Sequence, residues 1–110
     1  MSEENPYAGQ GAVLLDIGGQ VGALLIAMPE ELLGTEIEAR PMVPSAGHLP
    51  HVEVLRRPTP AGPVCSAVFS ELAEGDYELY RRPSGEVELR VTVTGGEVTD
   101  ATWPEARPPD

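Results

Sequence analysis

Between residues 11 and 103 apolar residues never recur at three-and-four spacing over a helical length, and each apolar run stops within about ten residues at a Gly, a Pro or a polar turn. A chain punctuated in this way builds short strands joined by tight turns. The clearest run is 86–94, where Val87, Leu89, Val91 and Val93 alternate with Glu86, Glu88, Arg90, Thr92 and Thr94, so one face is apolar and the other wet. Gly95-Gly96 then predicts a hairpin into a last strand over 98–103. The same reading gives strands over 35–40, with Ile37 between Glu36 and Glu38, over 51–57, with Val52 and Val54 on one face, over 64–69, and over 77–82, where Tyr77 and Leu79 share a face. Segments 51–57 and 64–69 are expected to pair across the stiff connector 58–63.

Two runs near the start do not alternate. Residues 12–17 and 21–28 are almost wholly apolar and are separated by Gly18-Gly19-Gln20, which predicts adjacent antiparallel strands, buried on both faces or covered on one face by a partner. Residues 29–34 carry Pro and acids where a helix begins and Gly where one ends, so a single helical turn is expected there. The sum is an all-β chain, a single antiparallel β-sandwich of about seven or eight strands with one helical turn. The length of 110 residues allows one domain: a sandwich over 11–103, flanked by a loose arm at 1–10 and a Pro-rich tail at 104–110.

The segment 67–80 (Ala-Val-Phe-Ser-Glu-Leu-Ala-Glu-Gly-Asp-Tyr-Glu-Leu-Tyr) resembles the corner of carboxypeptidase-regulatory-like and transthyretin-like sandwich domains. That resemblance implies that Leu72 plugs the core beneath the turn and that Tyr77 opens the next strand. The whole pattern, from the Gly11-Ala12-Val13-Leu14-Leu15-Asp16-Ile17-Gly18-Gly19 opening to the Gly95-Gly96 turn, also resembles a family of small uncharacterised bacterial proteins, a resemblance that implies no activity. The absence of Lys, with a single Asn and abundant Ala, Gly, Pro and Arg, matches the coding bias of a GC-rich bacterial genome.

Charge narrows the partners. Seven basic residues, all Arg, face eighteen acidic ones, a formal charge of −11. Nucleic acid and anionic membrane surfaces are therefore disfavoured, and basic or uncharged partners are expected. The lone Cys65 forms no internal disulfide, the 11–28 run is interrupted by Asp16 and Gln20, and no basic leader precedes it, so a cytoplasmic protein is expected.

Candidate chemistry is sparse. Residues 13–19 are similar to the first phosphate loop of the actin-like ATPases and sugar kinases, with Asp16 in the place of the acid that serves the metal-bound water. That fold needs two large lobes, and a hairpin is the reading that 110 residues allow. His48, His51 and Cys65 are the soft ligands, and a three-ligand zinc or copper site is conceivable if Cys65 approaches His51 across a ladder. A buried small residue is the ordinary role for such a Cys. Ser45, Ser66, Ser70 and Ser84 are hydroxyl nucleophiles outside any Gly-x-Ser-x-Gly elbow, although Ser66, His51 and a Glu could be assembled into a triad. Glu71, Glu74, Asp76 and Glu78 read as a solvated acidic edge that lacks the pattern of a calcium loop. Arg56-Arg57 and Arg81-Arg82 form one basic spot if their strands are neighbours, or are answered by Glu. Trp103 is expected to cap the sandwich.

No catalytic, cofactor or metal residue is assigned. The leading expectation is a non-enzymatic binding or adaptor module that offers a protein partner an edge strand or the Pro-rich 41–50 loop, with self-association as its simplest form. The alternatives are a metal-dependent protein or small hydrolase using His48, His51 and Cys65, and a sandwich that holds a small ligand between its sheets.

Overall fold

The computed structural model describes residues 15, 17–43 and 49–104. Its strands are β1 (Val21–Ala27), β2 (Glu36–Pro41), β3 (His51–Glu53), β4 (Leu55–Arg57), β5 (Val64–Ala73), β6 (Gly75–Arg81), β7 (Leu89–Val93) and β8 (Val98–Thr102). They form two four-stranded sheets, ordered β4-β5-β1-β8 and β3-β2-β6-β7. The result is the all-β sandwich expected from the pattern. The helical turn is a single 3-10 turn, Glu30–Leu32, which follows Pro29 and is released by Gly34 at φ +87°. The 1–10 arm and residues 105–110 of the tail lie outside the described residues.

Strands come in hairpins, and successive hairpins alternate between sheets. Strands β2 and β3, β4 and β5, and β6 and β7 pair antiparallel within one sheet. The chain then crosses to the other sheet before its next strand, so β1 and β8, first and last, meet side by side in parallel. The crossing at Val54 splits the expected 51–57 strand in two. Val54 is fully buried, its N–H donates to Thr35 O at 2.9 Å, and its carbonyl accepts from Gly34. The expected pairing of this segment with 64–69 holds for β4 alone.

Two further expectations are corrected. Residues 12–14 and 16 lie outside the described residues, but β1 has no free edge for a hairpin partner, because β5 pairs along one side and β8 along the other. The Gly95-Gly96 turn likewise does not fold β8 back on β7, since β8 passes to the other sheet. The alternating run also starts its ladder at Leu89 instead of Glu86. Its partner β6 ends at Arg81, Arg82 gives its N–H to Glu36 O, and Pro83 has no N–H to continue.

The non-alternating 21–28 run is explained by burial on both faces. Leu24 and Ile26 face the core, while Ala23 and Leu25, which alternate with them, are 0% and 5% exposed. Between the sheets Leu24, Ile26 and Phe69 of one layer meet Ile37, Leu79 and Val93 of the other. Each fully buried side chain of this size is worth about 1.5–3 kcal/mol. Trp103 closes the core at 1% exposure, and its backbone N–H bonds Ala27 O at 2.8 Å.

The β5–β6 crossing is made by Glu74 alone. Leu72 is buried beneath it, and Tyr77, the third residue of β6, is buried with its hydroxyl donating to Ala73 O at 2.6 Å. Leu72 lies where it is expected, while the strand that Tyr77 is expected to open begins two residues earlier, at Gly75. This contact locks the bend by joining two strands in different sheets across a four-residue separation.

At the same end the backbones approach without side chains between them. A Cβ on Gly22 would lie 2.4 Å from Thr94 O and 2.9 Å from Val93 Cγ1, and one on Gly95 would lie 2.2 Å from Gly19 O. Gly22→Ala is expected to destabilise the fold by about 2–3 kcal/mol, as overpacking against a backbone oxygen does. Urea unfolding at unchanged m-value checks it. Tyr77→Phe should cost about 1 kcal/mol by the same measurement, the worth of one intramolecular hydrogen bond.

Candidate functional site

The outward face of the β2 sheet is a network of charges that answer one another. Glu36, Glu38 and Arg40 project from β2, and His51 and Glu53 from β3. Arg82 meets Glu36 at 2.8 Å and Glu38 at 3.3 Å, and Tyr80 donates its hydroxyl to Glu38. Glu78 lies between Arg40 at 3.0 Å and Arg90 at 3.2 Å, and the Arg40 guanidinium stands 5.0 Å from the centre of the Tyr80 ring. The hydrogen bond from Arg40, helped by Arg90, holds the Glu78 carboxyl below its ordinary range. Burial, then the Glu38 carboxylate, push the Tyr80 phenol up.

The paired arginines are answered by acids instead of merging into a basic spot. Arg56 bonds Glu30, Arg81 bonds Glu88 at 2.7 Å, and Arg82 takes its two glutamates. Arg57 differs: its Nε donates to Ser66 Oγ at 2.9 Å, and no carboxylate meets it among the described residues.

The sequence-predicted ligands are not gathered. His48 lies outside the described residues. His51 stands on β3, opposite Glu38 in the ladder and 3.6 Å from Glu36, with an exposed side chain. Cys65 is buried on β5 in the other sheet and faces Arg56 in its ladder. Ser66, beside it, pairs with Leu55 and with Ala27, so the ladders do not juxtapose it with His51. Ser70 is half-buried on β5, Ser84 accepts from Glu86 N–H in an exposed turn, and Ser45 and Asp16 lie outside the described residues. Among the described residues no group of three or more His, Cys, Asp and Glu could hold a metal ion. The acidic run is likewise dispersed: Glu78 is held by arginines, Asp76 accepts from Thr92 at 2.6 Å, and Glu74 accepts from Gly95 N–H at 3.3 Å.

What the fold does assemble is a cleft of about 260 Å³ at the corner where β2 ends beside the start of β6, lined by Pro41, Val43, Ala73, Glu74, Gly75, Asp76 and Tyr77. The ladder places Pro41 opposite Tyr77, and Met42 N–H is tied to Asp76 O at 2.9 Å. Met42 and Val43 then stand 50% and 78% exposed. Apolar groups this open, beside an apolar cleft, make a contact surface. Residues 44–48 of the expected 41–50 binding loop lie outside the described residues, so the site rests on the loop's first turn and the 73–77 crossing. Sequence alone pointed to the loop. The contribution of the crossing follows from the β2–β6 register, which no local pattern encodes.

A second cleft, of about 310 Å³, opens on the outward face of the β1 sheet between Ala27, Val64, Ser66 and Thr102. In contrast to the charged β2 face, this face carries Leu25, Ala27, Val64 and Val68, with Leu55 and Val64 exposed at 41% and 42%. No helix among the described residues is long and apolar enough to cross a membrane. Compared with known families and curated proteins, the chain matches no family model and no curated sequence.

The depressed Glu78 carboxyl contributes stability that is present above the ordinary carboxylate range and is lost as pH falls through its lowered folded value. In Arg40→Met, Glu78 should titrate closer to its ordinary range, and acid unfolding should begin at higher pH. Carboxyl-detected NMR titration, run beside acid unfolding followed by circular dichroism, checks both.

Proposed function

We propose that this chain is a non-enzymatic cytoplasmic binding module that takes a basic, apolar segment of a protein partner at the Pro41–Val43 corner. The observation that carries the reading is the exposure of Met42 and Val43 beside the Tyr77 cleft. A partner side chain entering there would cover Val43 and rest on Pro41, Ala73 and the Tyr77 ring, which removes apolar area from water on both sides.

The rim supports the choice of a basic partner. Glu74 and Asp76 accept hydrogen bonds from Gly95 and Thr92 but meet no Arg among the described residues. The formal charge of −11 would steer cations toward the whole surface, and these two acids would fix them at the cleft. Strand addition, the other form of the binding reading, has shorter footing: β3 and β4 are edges of three residues, and β7 and β8 of five. The metal or hydrolase alternative draws no support from His51 and Cys65 in separate sheets. A ligand between the sheets would compete with the side chains that already fill that space.

Selection of a randomised library of short peptides on the folded protein tests the proposal. Enriched peptides should place Lys or Arg beside an apolar residue and move the amide resonances of Val43, Ala73 and Tyr77. Val43→Asp should keep the melting temperature and weaken these peptides about tenfold, a loss of about 1.4 kcal/mol. Asp76→Asn should weaken them less and flatten their salt dependence. Enrichment of acidic peptides, or equal binding to Val43→Asp, would sink the reading.

A further inference from the structure

Arg57 is the described arginine that the fold leaves without a carboxylate. Arg40, Arg56, Arg81, Arg82 and Arg90 each meet a Glu, in a chain where acids outnumber bases by eighteen to seven. Arg57 is half-buried on the edge strand β4, and burial alone lowers its pKa from the ordinary value. Taking a guanidinium out of water without a counter-charge costs free energy, and a ligand that supplies the charge recovers it.

Its surroundings say which ligand. The Nε–H is spent on Ser66 Oγ, and no protein acceptor meets the two terminal nitrogens among the described residues. Those two nitrogens form the end-on fork that grips both oxygens of a carboxylate. Ser66 itself lines the 310 Å³ cleft, and Arg57 stands opposite Val64, which lines the same cleft and is 42% exposed. Arg57 does not itself line the cleft and reaches its edge through Ser66, while the walls include the apolar Leu25, Ala27 and Val64, with Asp100 and Thr102 on β8. A bound acid that reaches the Arg57 guanidinium past Ser66 lays its chain across β1. The volume falls at the small end of the range of about 300–1,000 Å³ typical of small-molecule sites.

We propose that Arg57, Ser66 and this cleft bind a small carboxylic acid with an unbranched apolar chain, the carboxylate on the Arg57 fork and the chain over Leu25, Ala27 and Val64. The site is separate from the Pro41–Val43 corner and does not depend on a protein partner there.

Octanoate, octanol and octylammonium are the probes, followed by thermal shift and by the amide resonances of Ala27, Val64 and Thr102. Octanoate should raise the melting temperature and move these resonances, with octanol about tenfold weaker, a difference of about 1.4 kcal/mol for the missing charge-assisted hydrogen bonds. Octylammonium should leave them unmoved. Arg57→Gln should reduce octanoate to the level of octanol and leave octanol unchanged. Arg57→Lys keeps the charge without the fork, so it should bind octanoate more weakly than the parent and more strongly than Arg57→Gln. If Arg57→Gln fails to fold, Val64→Ser supplies the second arm, weakening both octanoate and octanol. No octanoate binding, equal binding of octanoate and octanol, shifts that map elsewhere, or full binding by Arg57→Gln would each overturn the proposal.

Discussion

The sandwich depends on a place where main chain lies directly on main chain. Segment 20–23 enters β1 and is bonded from two directions: Gln20 O accepts from Glu74 N–H at 2.8 Å, Val21 O from Gly96 N–H at 2.9 Å, and Ala23 N–H donates to Glu97 O at 3.0 Å. One of these bonds comes from the β5–β6 crossing and two from the β7–β8 turn. Both crossings are thus anchored to the same few residues of the central strand. Backbone can come this close only because Gly22 and Gly95 have no Cβ, and a methyl group at either would lie within 2.4 Å of a carbonyl oxygen. Once the segment is fixed, β5 and β8 have set registers on either side of β1, and the first and last strands close the sheet in parallel.

With both edges of β1 occupied, the two layers take on different surfaces. The β2 sheet turns its charges outward, where exposed ion pairs contribute about 0–1 kcal/mol each and serve mainly to keep that face wet. The β1 sheet turns outward Ala23, Leu25 and Val68, which are buried, and Leu55 and Val64, which are not. Arginine is scarce in this chain, and the β2 face draws in Arg40, Arg82 and Arg90, while the ends of the sandwich take Arg56 and Arg81. After that pairing Arg57 is the described arginine left without a carboxylate, and Glu74 and Asp76 at the Tyr77 corner are among the acids left without an arginine.

Much of the architecture was legible because it rests on period two and on turn residues. Ile37 between its glutamates and Tyr77 with Leu79 are local signals, and each lies where the pattern puts it, whereas Leu72 is placed under the corner by the resemblance alone. The misplaced features depend on contacts distant in sequence. Gly95-Gly96 has the composition of a hairpin turn, yet its close approach to Gly19 and Gln20 sends the chain to the other sheet. Val54 reads as one more inward residue of a strand, but it is the point where that strand changes sheets. The site was less legible for the same reason. His51 and Cys65 seem reachable along a ladder only if 51–57 stays in one sheet, and Arg57 looks like half of a basic pair until each of the other described arginines has found its glutamate.

Both clefts lie beside a change of sheet or a strand end, and the placement has a physical cause. Inside a ladder, main-chain groups and side chains are fully engaged, and the alternation of inward and outward residues leaves no concavity. At the Glu74 crossing β5 and β6 diverge, and on the other side of β2 the pairing with β3 stops at Glu38, so no β3 residue stands beside Met42 and Val43. At the other site β1 stops at Ala27, β8 stops at Thr102 and β5 begins at Val64, and the second cleft opens at these three strand ends. The crossings that give this sandwich its topology therefore also generate its exposed apolar surface. The distribution of a few arginines then leaves acids without an arginine at one of those surfaces and Arg57 without a carboxylate beside the other.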